Sequence, residues 1–349
     1  MALGLAMGSH WDTGDGTNVG FQPDHIDKLI GWWDFTDSQT VFTGSIGSLS
    51  PATFYDGIKQ VKNKGNSGTD NLGEFIRTDG DDLEPGAKTR YLVSINNPEG
   101  AINQYAVRAN PDTGAGPKVF GSSRVNGFGG VVNGNVSGTS GTFSTATINN
   151  HNLTIFFAVR TRTADYTNIN GNAQGDHFLG IGCKIADYSD SGPPYWPGFR
   201  VSLSKSGDDW QWKSPNLDAS ALSDTTTLDT NAKIADFGTG LSKGTAVWTI
   251  TNDSGTNGIK MYRNFDTSDG SSTTITNSGV DEGLDFDMTD GWVSIGGYAV
   301  SKSFNGVYAD NMAKVFIHEV LIFNKTLNND EMQQIEDHFR AKYDPDGDW

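Results

Sequence analysis

The chain has 349 residues, 35 % of them apolar, so it carries enough apolar material for a substantial core. Its 44 glycines and 11 prolines amount to about 16 %, below the ~25–30 % that marks low-complexity or disordered chains. Against 25 Lys and Arg stand 42 Asp and Glu, a net charge of −17, which excludes a phosphate-binding nucleic-acid partner and disfavours anionic membrane surfaces.

One domain per ~150 residues would suggest two, but all-β sandwiches run to ~200–250 residues as one unit. The expected organisation is therefore an arm over 1–25, one large domain over 26–343 and an acidic tail over 344–349. Cys183 is the only cysteine, so neither an intramolecular disulfide nor a Cys-based zinc cluster can form. Met1–Gly8 lacks a basic region and a long apolar run, so no secretion signal is read there. No stretch approaches the ~20 apolar residues of a membrane span, and membrane insertion is not expected.

Residues 8–24 are glycine-rich and polar without a period, as an extended arm would be. Trp11 and Phe21 are unusual in a solvated tail, because such tails are poor in aromatics; they make the arm a candidate for docking. Ile26–Phe42 contains Trp32 and Trp33 in an apolar run, as a first core strand would. Residues 44–150 are the least regular, with Tyr91–Ile95 and Val119–Val132 standing out as short strands between long loops.

The second half is more regular. In His151–Arg160, Leu153, Ile155, Phe157 and Val159 alternate, which predicts a half-buried strand. His177–Cys183, Gly198–Ser204, Thr245–Thr251, Gly258–Arg263, Trp292–Ile295 and Val315–Phe323 are short, β-branched or aromatic, and bounded by turn residues. Together they predict an all-β antiparallel sandwich, jelly roll or barrel. One helix is marked: Asn328 caps it, Glu331 completes a capping box, and Leu327 with Met332 are spaced for a hydrophobic staple. Met332, Ile335, Phe339 and Tyr343 repeat at helical spacing and form its packing face. Pro345 ends it.

The ends of the chain carry a resemblance. In Val315–Leu327 and the helix after it, Glu319, Phe323, Asn324, Lys325, Leu327, Glu331, Phe339, Lys342 and Tyr343 stand where concanavalin A-like or laminin-G-like jelly rolls have their closing strand and helix. Leu29–Asp37 resembles the opening strand of that family, and Val61–Asn66 the loop that follows, with Asn63, Lys64 and Gly65 a partial match. Leu153–Val159 resembles a strand near the middle of the fold. The resemblance implies a two-sheet antiparallel jelly roll with a C-terminal α-helix. Such folds host lectins, hydrolases, adhesion modules and viral coat components, so function must be argued from a site. Domains that look like this occur among bacteriophage virion surface proteins.

Catalytic constellations are missing. Paired carboxylates for glycoside hydrolysis have their nearest match in Asp281–Asp287, whose spacing is wrong and which reads as an acidic turn. Cys183 sits in an apolar run, where an inert buried thiol is the default. The six histidines are scattered, and His318 reads as a residue on the less apolar face of its strand. Asp79, Asp81 and Asp82, Asp187 and Asp190, and Asp344, Asp346 and Asp348 put oxygens in loops. None has EF-hand spacing, and solvated loop charge is the simpler reading. The resemblance implies a structural calcium without naming its ligands, and no other cofactor is expected.

Sugar binding needs flat aromatic rings beside polar groups. Tyr195 and Trp196 lie in the proline-stiffened loop Ser191–Gly198, and Trp210 and Trp212 follow within a hairpin's reach on one strand face. Burial in the core or an interface is the competing reading for these rings. The expected function is a non-enzymatic structural protein of a bacteriophage virion, as capsid decoration or a tail or fibre surface component. Its expected partners are other virion proteins and further copies of itself, with host glycan as a secondary contact. The alternatives are a carbohydrate-binding adhesin of a bacterial surface and, behind it, a glycoside hydrolase.

Overall fold

The computed structural model describes residues 20–37, 39–45, 48–51, 60–76, 92–96, 103–108, 147–149, 152–161, 176–182, 198–203, 210–213, 225–227, 246–253, 259–273, 285–287, 292–295, 298–299, 307–308 and 315–344. They are mostly β, in two larger antiparallel sheets with smaller ones, and carry one α-helix near the C-terminus. No helix among them is long and apolar enough to cross a membrane.

The larger sheet runs Asp266–Thr273, Ile259–Arg263, Ala246–Asn252, Leu153–Thr161, Val315–Phe323, Asn103–Arg108, Leu92–Asn96. The opening strand, Leu29–Asp34, pairs with the same edge of the closing strand, Val315–Phe323, over Glu319–Phe323, while Asn103–Arg108 takes Phe316 and Ile317. Chain segments almost 290 residues apart are thus hydrogen-bonded neighbours. The five-stranded sheet runs Thr225–Thr227, Trp210–Lys213, Gly198–Leu203, Asp176–Gly182, Trp292–Ile295.

The strand over Leu153–Thr161 departs from the half-buried expectation: every residue from Leu153 to Val159 is buried. The C-terminal helix, Asn329–Tyr343, explains one of its two faces. Ile335, Phe339 and Tyr343 join Phe156, Ala158, Val247, Leu321, Phe323, Leu29 and Trp32 in one apolar cluster, with Met332 at its margin. The helix starts as its sequence predicts. Asn328 Oδ1 accepts the Glu331 N–H at 3.0 Å, and Glu331 Oε2 accepts the Asn328 N–H at 3.0 Å. These bonds satisfy two donors that a helix start otherwise leaves unpaired. Pro345 lies outside the described residues.

Three further expectations change. His318 is fully buried, because the register slips between Ile317 and Glu319, where a bulge interrupts the strand alternation. Ile317 stands opposite Val159, whereas Glu319 stands opposite Ala158 on the helix-covered face. The His318 carbonyl instead accepts the Phe35 N–H at 2.9 Å. Asp285–Asp287, read as turn, is a short strand paired with Thr147–Asn149. Within 44–150, strands also form at Ser48–Pro51, Gln60–Val61, Phe75–Ile76 and Asn103–Arg108, too short or too polar to show a period.

The loop over 62–72 seals the outer edge of the opening strand. The N–H groups of Lys64, Asn66 and Leu72 donate to the carbonyls of Trp32, Leu29 and Ile30 at 2.9, 3.0 and 2.7 Å. Asn63 imitates backbone from its side chain: Oδ1 accepts the Trp32 N–H at 2.8 Å, and Nδ2 donates to the Ile30 carbonyl at 2.9 Å. An edge strand with unpaired backbone groups invites aggregation, and this loop covers it.

Candidate functional site

Among the described residues, charged side chains converge most densely where the opening strand, the closing strand and the last turns of the helix meet. Alternation along the opening strand puts Trp32 and Asp34 on its helix-covered face, opposite Leu321 and Glu319. The bulge at His318 puts Glu319 there too. The helix brings His338, Lys342 and Tyr343 down onto them.

Glu319 is fully buried, and four donors surround its carboxylate. Trp32 Nε1 donates to Oε1 at 2.7 Å, and His338 Nε2 lies 3.1 Å from the same oxygen. Lys342 Nζ and Tyr343 OH donate to Oε2 at 2.7 and 2.9 Å. Burial pushes the Glu319 pKa up, but Lys342 and His338 outweigh it and hold the carboxyl well below the usual range. Burial, then the neighbouring Glu319 and Asp34 charges, push the Tyr343 hydroxyl well above its ordinary value.

Lys342 is shared. Its Nζ also reaches Asp34 Oδ2 at 2.9 Å. Asp34 in turn accepts from the Thr36 N–H and hydroxyl at 3.0 and 2.6 Å, and Lys64 Nζ stands 3.5 Å away. Lys64 pairs with Asp37 at 3.2 Å and lies over the Trp32 ring, 3.9 Å from its centroid. Two carboxylates grip one ammonium, itself 26 % exposed, and a second lysine closes the chain of charges at the rim. Such a cluster joins three chain segments. Glu319 itself is buried and saturated by donors, so its carboxylate is closed to an external substrate.

Of the residues singled out in the sequence for binding, Tyr195, Trp196 and Trp11 lie outside the described residues. Trp210 and Trp212 belong to the strand Trp210–Lys213, at register positions opposite Leu203 and Val201. The row through Trp212 and Val201 continues to Leu179, which is buried, and Ile295. Phe21 packs at the margin of the chain's own core, with its ring edge-on to His25 at 5.7 Å.

For calcium, no group of three or more His, Cys, Asp or Glu side chains among the described residues is arranged to hold a metal ion. Asp344 is engaged by Arg340 at 3.0 Å. The other loop aspartates named above lie outside the described residues. The cluster around Glu319 was legible only in part: the resemblance marked Glu319, Lys342 and Tyr343, but Trp32, Asp34 and His338 carry no local signal of this contact.

No protein-family model matches this chain, and no curated protein matches it in sequence. Among solved structures, it is similar to the Trypanosoma rangeli sialidase in complex with the inhibitor DANA, at 12 % identity and a TM-score of 0.39. The match covers 88 % of this chain, which spans about a third (32 %) of that sialidase. It is also similar to the Ruminococcus gnavus IT-sialidase CBM40 bound to α2,3-sialyllactose, at 16 % identity and a TM-score of 0.32. That match covers 53 % of this chain and 82 % of the other.

Proposed function

We propose that this protein is a non-catalytic, lectin-like binding module, a concanavalin A-like or laminin-G-like jelly roll that contacts carbohydrate. The observation that carries the reading is the meeting of its two ends. The segments that resemble the family's opening strand, following loop, closing strand and helix are assembled on one another here, through the register of Leu29–Asp34 on Val315–Phe323 and the bonds from loop 62–72. The glycan contact rests on the sequence Ser191–Gly198, in which Tyr195 and Trp196 stand among three prolines and polar residues, the composition expected of a platform that stacks on a sugar face. Trp210 and Trp212 are the secondary candidates, because the register row of Trp212 runs through buried Leu179.

The setting we infer is the surface of a bacteriophage particle, as capsid decoration or a tail or fibre component, in several copies. What supports it is the resemblance to virion surface domains and an acidic chain unsuited to nucleic acid. A bacterial-surface adhesin is the other setting of the same binding activity.

The experiment is a titration of tryptophan fluorescence with purified bacterial surface polysaccharides, on the full chain and on a Tyr195→Ala, Trp196→Ala double variant. Saturable quenching that the double variant loses supports the glycan reading. Full quenching in the variant, or none in either protein across the panel, overturns it. Density-gradient separation of a lysate then tests the setting: co-sedimentation with particles at fixed stoichiometry supports the virion, and recovery in the envelope fraction the adhesin.

A further inference from the structure

Lys342, Asp34 and Glu319 form a trio with a chemical consequence that does not depend on any glycan contact. We infer that Lys342 and Asp34 can join in an intramolecular isopeptide bond, with Glu319 moving the protons. Three observations carry this. The amine nitrogen stands 2.9 Å from the Asp34 carboxylate and 2.7 Å from Glu319. Both carboxylates are shielded, Asp34 at 6 % and Glu319 at 0 % side-chain exposure, and Glu319 also accepts from Trp32 Nε1 and Tyr343 OH. The three groups are held by separate elements, so the bond would tie the opening strand to the end of the chain.

The reaction balances without an oxidant or co-reactant. At rest the amine is an ammonium: burial disfavours its charge, but Glu319 and Asp34 outweigh that and raise its pKa. One proton first passes from Lys342 Nζ to Asp34, leaving a neutral amine beside a neutral acid. The Nζ lone pair attacks Asp34 Cγ while Glu319 takes a second proton from the nitrogen. Glu319 returns that proton to the departing oxygen, which leaves as water, and the amide carries one N–H. The ammonium and carboxylate are consumed, and the Glu319 carboxylate is regenerated. Positioned proton transfer is worth ~10²–10⁴-fold, and well-oriented intramolecular partners reach effective concentrations of ~10⁵–10⁸ M. These factors drive a condensation that free amines and carboxylates in water do not make. Lys64, near Asp34, is the competing cation, but its Nζ is 3.5 Å away and has no contact to Glu319. With Cys183 as the only cysteine, the chain has no disulfide of its own, and this bond is a covalent lock that its residues permit.

The test is intact-mass spectrometry of the full chain, purified natively, incubated at room temperature, then denatured. The expected result is a chain one water lighter than its sequence mass. After trypsin, a branched peptide should join residues 29–59 to residues 341–349. Lys342→Arg keeps a cation for both carboxylates and should stand at its full sequence mass. Asp34→Asn should lose ammonia instead of water, a signature that dehydration elsewhere does not imitate. Wild-type chain at its full sequence mass, with trypsin cutting after Lys342, overturns the inference and leaves an ion pair only. Water loss that persists in Lys342→Arg overturns it equally.

Discussion

Glu319 and Asp34 are cross-strand partners, and both hold the same nitrogen: Lys342 Nζ lies 2.7 Å from one carboxylate and 2.9 Å from the other. Opposed like charges across a ladder are ordinarily destabilising. Here the helix supplies the counter-charge from above, so the closing strand, the opening strand and the helix depend on one another at this point.

Removing the Glu319 carboxylate should be costly. Glu319→Ala leaves Trp32 Nε1, Tyr343 OH and Lys342 short of an acceptor in a dry site, and breaking a buried ion pair costs roughly 3–5 kcal/mol. Urea unfolding followed by tryptophan fluorescence should show the midpoint falling accordingly. Glu319→Gln keeps an acceptor and should lose less. A midpoint for Glu319→Ala within error of wild type would refute a stabilising role for this carboxylate.

The same cluster sets a pH window. The folded Glu319 pKa lies below its unfolded value, so its contribution is present above about pH 4.3 and lost as pH falls through the folded value. In the chain before any Lys342–Asp34 bond closes, the folded Lys342 and Tyr343 values are raised. Their contribution is present below the unfolded values near 10 and lost as pH rises through the folded ones. The contributions of Glu319, Lys342 and Tyr343 should be flat between about pH 5 and 9. Glu319→Gln should flatten the acid limb of a plot of urea midpoint against pH.

Gly65 is required by closeness and not by an unusual backbone angle. A Cβ there would stand 2.7 Å from the Leu29 carbonyl oxygen and 2.8 Å from Asn71 Oδ1. Gly65→Ala must therefore push loop 62–72 off the opening strand, and overpacking of this kind costs roughly 1–3 kcal/mol. Thermal unfolding should show it, together with faster amide exchange at Lys64 and Asn66, whose N–H groups bond that strand.

Phe265 presents a conflict between backbone and packing. The two-residue turn Asn264–Phe265 between Ile259–Arg263 and Asp266–Thr273 has φ of 48° and 63°, where glycine is the favoured residue. The phenylalanine ring stacks on Phe156 at 5.9 Å and lies 6.2 Å from Phe339, so it fastens the hairpin to the helix. Phe265→Ala loses the packing and keeps the unfavourable φ. Phe265→Gly relieves the φ and should be the more stable of the two by about 1 kcal/mol. Equal unfolding midpoints would show that the backbone angle costs nothing.

The capping box at Asn328 and Glu331, the packing face of the helix and strands such as Leu153–Thr161, Ala246–Asn252 and Val315–Phe323 were legible in the sequence, because each depends on spacing within ten residues or so. The bulge at His318 was not. Alternation alone leaves Glu319 on an ambiguous face of a strand that is apolar throughout. Which way it turns depends on Phe35 taking the His318 carbonyl and on the helix offering cations.

By itself, then, the sequence determined the β-rich class, the capped C-terminal helix, the acidic net charge and a lone cysteine. Those properties belong to composition and local period. Only the tertiary structure decided that Trp32, Asp34, Lys64, Glu319, His338, Lys342 and Tyr343 share one site. Their separations of up to about 300 residues carry no local signature, and a buried charge gains its partners only when the strands and helix close over it.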